Sequence, residues 1–316
     1  MRETSENLSS HARKGWSDVA DMLRAAVTDT RSLRHVGHYT DGVTDLSVDV
    51  VDDAQPRGPE SIRHDYSRIA RQLNLSLSDL ESELAEAGTG NLRRVVLNGR
   101  SAAVYCDAVL PNQHLIGFAE TVPHDQEAST ATPALMATLV GRLRERSGSA
   151  LAEVGDGTGF TGLPHPWALP TGEKRAIRET GHADPLAARS CRAAVHPGGL
   201  HCLAWCTPDG VFTADCLNDP EVSESARHSG ASAELRAFST ALGTQFPRLV
   251  GHLSRVGMNA LGGRLEHVTV HFERGAIHCR RVRPGHLVIG VILDGDAVDR
   301  VADLVARLAT RLVHRA

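Results

Sequence analysis

Aromatic residues are scarce, with six Phe, three Tyr and three Trp in 316 positions. Cores must then be filled by Leu, Val, Ile and Ala, and the stacking platforms that hold single-stranded nucleic acid are in short supply. An excess of one charge is missing too: 34 basic and 38 acidic residues leave a formal charge of -4. Nothing in that balance draws the whole chain to phosphate or anionic lipid, so no nucleic-acid partner is expected. No apolar run approaches the length that spans a bilayer, and the opening MRETSENLSSHARKGW lacks the apolar core of a signal peptide. The expectation is a cytoplasmic protein without membrane insertion. Cysteine is too sparse, at six residues, for a disulfide framework in a chain of this size. Four of the six sit in apolar strand-like runs, where a reduced thiol serves as a small buried side chain.

What is present is the balance of a soluble globular protein, 41% hydrophobic and 23% charged, in a chain long enough for two domains. Residues 1–14 are polar and read as a frayed end. Val19, Met22, Leu23 and Ala26 recur on one helical face. Stretches 33–39 and 43–51 flank Asp41-Gly42 and read as a hairpin, the glycine supplying the positive φ that a tight turn needs. After a polar loop, Ile62, Tyr66, Ile69, Leu73, Leu77, Leu80 and Leu84 predict a long amphipathic helix. Three strands follow at 92–97, 102–109 and 115–119, then a helix through Leu135, Leu139 and Leu143. The order is α-β-β-α-β-β-β-α.

That order returns. The stretch 265–293, LEHVTVHFERGAIHCRRVRPGHLVIGVIL, echoes 92–120 at a spacing of 173, with identities at Val95/Val268, Cys106/Cys279, Val109/Val282, Pro111/Pro284, Ile116/Ile289 and Gly117/Gly290. Arg24-Ala25-Ala26-Val27 and Asp41-Gly42-Val43 recur 168 residues later as Arg192-Ala193-Ala194-Val195 and Asp209-Gly210-Val211. Two matches at one spacing predict a tandem duplication. The second copy carries its hairpin at 200–206 and 211–217, and a long helix at 233–256 in which Gly243 and Pro247 predict a kink or break. Between the copies, 147–181 concentrates Gly and Pro and reads as a linker. Its GDGTGFTG run has neither the GxxxxGK[ST] pattern nor a preceding strand, so a phosphate loop is not expected.

With its DG hairpin, long central helix and the run HVTVHFERGAIHCRRVRPGHLVIGVI, the chain resembles the roadblock family, of the dynein light chain roadblock type. The second copy carries the resemblance best, through Glu273-Arg274-Gly275, Val282-x-Pro284-Gly285 and VIGVILDGDAVDRV. The resemblance implies an α+β fold of two profilin-like units, each a five-stranded antiparallel sheet with the long helix on one face and the terminal helices on the other. The units would span 15–146 and 182–316. It also implies edge-to-edge pairing through each unit's third strand, here 92–97 with 265–270 inside one chain as an intramolecular pseudo-dimer. Such pairing removes an exposed strand edge.

Candidate chemistry meets a structural account at each point. Cys279 with His267 and His271 offers zinc-type ligands, but the short paired spacing of zinc sites is absent. A cysteine with His201 or His278 and Asp209 lacks any hydrolase signature, and Asp209 reads as a turn residue. Asp41, Asp45 and Asp49 alternate along a strand and read as its solvent face. Cys202 and Cys206 are four apart on a strand, too far to bond to each other. Arg280, Arg281 and Arg283 replace Asp107, Ala108 and Leu110 of the first copy and make the densest basic spot, a candidate contact for an acidic partner. The expected function is therefore a non-enzymatic scaffold or regulator without metal or cofactor. The resemblance implies a small Ras-like GTPase as partner, met through exposed Arg63, Arg71, Arg248 and Arg255 on the long helices. The alternatives are a small-molecule sensor module and, behind it, a cysteine/histidine enzyme.

Overall fold

The computed structural model describes residues 3–10, 15–50, 59–86, 90–120, 126–147, 176–220, 222, 232–257, 261, 263–293 and 298–313. In chain order the elements are β1 (Thr4–Leu8), α1 (Ser17–Asp29), β2 (Leu33–Thr40), β3 (Val43–Val50), α2 (Pro59–Glu86), β4 (Leu92–Asn98), β5 (Ala102–Leu110), β6 (Gln113–Glu120), α3 (Gln126–Arg146), β7 (Arg178–Thr180), α4 (Pro185–Ala194), β8 (Cys202–Thr207), β9 (Gly210–Asp215), α5 (Ser232–Gly257), β10 (His267–Phe272), β11 (Gly275–Arg283), β12 (His286–Ile292) and α6 (Val298–Val313). The architecture is α+β, with antiparallel strand pairs. Two compact units are present. The first takes Met1–Ser82, Leu92–Glu153 and Leu249–Val270; the second takes Glu83–Asn91, Val154–Arg248 and His271–Ala316.

In the first unit the strands run β1-β3-β2-β6-β5-β4. Beyond β4, the backbone N–H of Glu266, at the entry to β10, donates to the Asn98 carbonyl at 2.8 Å. The alternation of β2, β3 and β6 sends Val36, Leu46, Val48 and Leu115 to one face, where α1 adds Leu23 and Val27 and α3 adds Met136 and Leu139. On the opposite face the Tyr66 ring of α2 meets His35 and Phe118, with centroids 4.9 and 4.4 Å away. Burying Leu73 and Leu77 to 1% exposure fixes α2 there, each such side chain contributing about 1.5–3 kcal/mol.

In the second unit the strands run β11-β12-β8-β9-β7. Helix α6 packs on β11 and β12, and α4 packs on α6 and the β8/β9 hairpin. Asp184 caps α4, its carboxylate accepting from the N–H groups of Leu186 and Ala187, with Pro185 in the first turn. Helix α5 takes the other face, where the Cys206 thiol donates to the Gly243 carbonyl at 3.3 Å. Gly290 on β12 lets α6 approach closely, since a Cβ there would sit 2.7 Å from Leu200 and 2.9 Å from Val305.

Ladder partners put the two units in correspondence strand by strand. The order β5-β6-β2-β3-β1 repeats as β11-β12-β8-β9-β7. Cys106 faces Ile116 where Cys279 faces Ile289, and both ladders slip at the same place, between Ala108 and Leu110 and between Arg281 and Arg283. A bulge adds one residue and turns the strand, so its recurrence marks a shared backbone path.

Several expectations change. Residues 4–8, expected to fray, pair with β3, and 178–180, inside the expected linker, pair with β9. Both short strands are polar and carry no apolar alternation, because ladder hydrogen bonds rather than burial hold them. The GDGTGFTG run lies outside the described residues. The second hairpin turns at Pro208-Asp209, within the expected connection 207–210 and one position before the spot that matches Asp41-Gly42, with Gly210 already paired to Thr207. Proline presets the backbone angle of a first turn residue, which moves the turn one position early. Helix α5 runs unbroken through Gly243 and Pro247. Proline at 247 removes the N–H that would reach back four residues to the Gly243 carbonyl, and the Cys206 thiol takes that place.

Candidate functional site

In both units a carboxylate of the second hairpin strand meets an arginine from the start of the long helix. In the first, Asp49 lies opposite His35 on β2 and Ser5 on β1. His35 Nδ1 is 2.7 Å from Asp49 Oδ1, Arg63 Nε donates to Asp49 Oδ2 at 2.7 Å, and Arg63 Nη2 donates to Ser5 Oγ at 2.6 Å. On the other side of the imidazole, His35 Nε2 and the Tyr39 hydroxyl are 3.0 Å apart. Burial by itself would raise the Asp49 carboxyl pKa, but His35 and Arg63 outweigh it and hold the group below its ordinary value. Tyr39 is pushed up by burial, and Tyr66 rises to about 12 for the same reason, so both phenols stay protonated. Tyr66 and Phe118 close the site with their rings. It is a filled polar core.

In the second unit Asp215 lies opposite Cys202 on β8 and Arg178 on β7. Arg236 grips its carboxylate in a fork, Nε to Oδ2 at 3.1 Å and Nη2 to Oδ1 at 3.0 Å. The positions of His35 and Phe118, read through the ladders, are taken by Cys202 and Val291, and that of Tyr39 by Cys206. Three large side chains become three smaller ones. Over the hairpin lies a cavity of about 130 Å³ whose walls include Arg178, Thr180, Cys202, Asp215, Arg236 and Thr240.

The arginines expected to meet a partner differ in setting. Arg63 is not exposed: its side chain is 20% accessible and engaged by Asp49 and Ser5. Arg71 on α2 and Arg248 and Arg255 on α5 are exposed. Arg280, Arg281 and Arg283 are half-buried on β11, with Arg283 Nη2 donating to His286 Nε2 at 2.9 Å. Their counterpart Asp107 is 4% exposed and ion-paired to Arg94.

The described residues contain no group of three or more His, Cys, Asp and Glu that could hold a metal ion, so Cys279, His267 and His271 are not brought together as one. All six cysteines are reduced and buried. Burial pushes the Cys279 thiol well above its ordinary value and Cys206 to about 12, far from the thiolate that nucleophilic chemistry needs. His278 Nε2 lies 3.2 Å from the Val298 carbonyl, and burial lowers its pKa to about 4. His201 Nδ1 accepts from the Leu293 N–H, and Asp209 sits in the exposed hairpin turn, where its N–H donates to Thr207 Oγ1.

Sequence reasoning missed two histidine–carboxylate pairs. Asp45 and Asp49, expected on a solvent face, are each 4% exposed and paired with His38 and His35. The signal was the hairpin register itself, which sets His35 directly opposite Asp49.

No family model and no curated protein matches the chain. Among solved structures, a Roadblock/LC7 domain from Streptomyces avermitilis is similar at 20% identity, covering 41% of this chain and 98% of that one with a TM-score of 0.29.

Proposed function

We propose that the chain is a tandem pair of roadblock-like units acting as a non-enzymatic scaffold or regulator of a small Ras-like GTPase. The hydrogen bond from Glu266 N–H to the Asn98 carbonyl carries this reading. It supports pairing of 92–97 with 265–270 inside the molecule, which uses up the edge that a single unit would offer to a second copy. The long helices then remain as binding surfaces. On α2, Arg71 is exposed and Leu75, one turn on, is 61% exposed, a cation beside an apolar anchor. Arg248 and Arg255 give α5 the same charge.

The test uses the purified chain and a small GTPase encoded beside it, with nucleotide release and hydrolysis followed by a fluorescent nucleotide. Binding with a changed rate, lost on combining Arg71→Glu with Leu75→Asp, is the expected outcome. Absence of binding by calorimetry together with unchanged nucleotide turnover sinks the proposal.

A further inference from the structure

We propose that the cavity of the second unit is a binding site for a small monocarboxylic acid with a short apolar body. Cys202, standing where the first unit has the larger His35, lines the cavity. Its volume, about 130 Å³, is close to that of an engineered cavity of about 150 Å³ that holds benzene. A ligand of roughly half a dozen heavy atoms fits that space.

Charge selects the ligand's sign. The carboxylate of Asp215 is taken up by the Arg236 fork, so that pair is close to neutral. The side chain of Arg178, on the three-residue edge strand β7, makes no hydrogen bond or ion pair with any described residue and supplies one further positive charge to the wall. A single negative charge matches this balance, and a guanidinium binds a carboxylate in a planar two-point contact. A phosphate dianion would set its second charge against Asp215. Thr240 adds a hydroxyl, while Cys202 and Ala237 give apolar surface for the ligand's body. In the first unit Ser5 occupies the position of Arg178 and receives Arg63, so the equivalent position lacks the extra cation.

The test is titration of the full chain with butyrate, and with inorganic phosphate at matched ionic strength, followed by saturation-transfer NMR and calorimetry. Butyrate is expected to bind, and Arg178→Gln to weaken it at least tenfold while urea unfolding stays unchanged. Thr240→Gln, at an exposed helix position, narrows the mouth and is expected to weaken butyrate without touching the charge. The proposal is overturned by no butyrate binding up to about 50 mM, a regime below the affinity of even weak small ligands. It is equally overturned by binding that Arg178→Gln leaves intact, or by tighter binding of phosphate than of butyrate.

Discussion

Around Asp49 and around Asp215 the same acid–arginine pair is treated in opposite ways. The first is packed with an imidazole, two phenols and a phenyl ring; the second, with two cysteines and a valine at three of the matching positions, keeps a cavity. The strand order and a bulge are shared, so the backbone does not account for the difference. The exchange of His35 for Cys202, which lines the cavity, contributes to it. One unit has used the site to stabilise its core, and the other has left it able to receive a ligand.

The sharpest way to break that comparison is to remove each carboxylate in turn. Asp49→Ala strands both Arg63 and His35, and His35 has no exposed surface. Deleting one partner of a buried charge pair costs about 3–5 kcal/mol. Asp215→Ala leaves Arg236, which borders the cavity, and the Leu217 N–H without their acceptor, and a cost of about 1–3 kcal/mol is expected. Urea unfolding of both variants measures the difference. Equal losses would mean that the filled and open sites are energetically alike.

Acid should expose a second contrast. His114 in the first unit and His278 in the second are both lowered to about 4 by burial, His114 also by the nearby charge of His38. A histidine whose folded pKa is depressed gives stability that is present above its unfolded value of about 6.5 and lost as pH falls towards 4, about 3 kcal/mol for each. Asp49, also depressed, contributes stability present above the ordinary carboxylate range and lost as pH falls through its folded value. The first unit therefore carries an extra acid-labile group at lower pH. Unfolding free energies between pH 7 and 4 should drop steeply, and His278→Gln should flatten only the second unit's share. A pH-independent midpoint across that window contradicts the buried neutral histidines.

Some of this was legible beforehand and some was not. The spacing of 173 held from β4 to β6 and from β10 to β12 because apolar alternation on two faces pins register, and a slip of one residue would turn every side chain over. The spacing of 168 matched Asp-Gly dipeptides but misplaced the second turn, since Pro208 weighs more in choosing a turn than Gly210 does. Asp49 looked like a surface acid because its partners, His35 on another strand and Arg63 on the next helix, appear only once strands are paired. The cavity could not be anticipated from either copy alone. It becomes visible only on setting Cys202 and Arg178 beside their counterparts His35 and Ser5.

Close packing over the sixth strand of each unit gives a smaller test. A Cβ on Gly117 would meet Met136 Sδ at 2.9 Å, whereas one on Gly290 would meet Leu200 at 2.7 Å and Val305 at 2.9 Å. Methionine is unbranched and gives way, but a β-branched valine on a packed helix has one preferred rotamer. Gly290→Ala should cost about 1–3 kcal/mol, in the range of overpacked cores, and Gly117→Ala about 1 kcal/mol or less. The reverse order, read by thermal unfolding, would show that α3 is held more rigidly than α6.

The smallest expected effect concerns Cys206, which stands where Tyr39 stands in the first unit. Tyr39 turns its hydroxyl to His35; Cys206 turns its thiol to the Gly243 carbonyl that Pro247 deprives of a helical donor. The thiol and the proline are thus coupled across the sheet–helix contact, and α2 between Pro59 and Glu86 has no internal proline to call for such a donor. Cys206→Ala should cost more with Pro247 in place than after Pro247→Ala, because the alanine restores the N–H that satisfies Gly243. A double-mutant cycle in urea should return a coupling of about 0.5–1 kcal/mol, the size of a weak hydrogen bond to a buried carbonyl. A coupling of zero would leave the thiol as packing alone, a small buried side chain under the helix with no role as a donor.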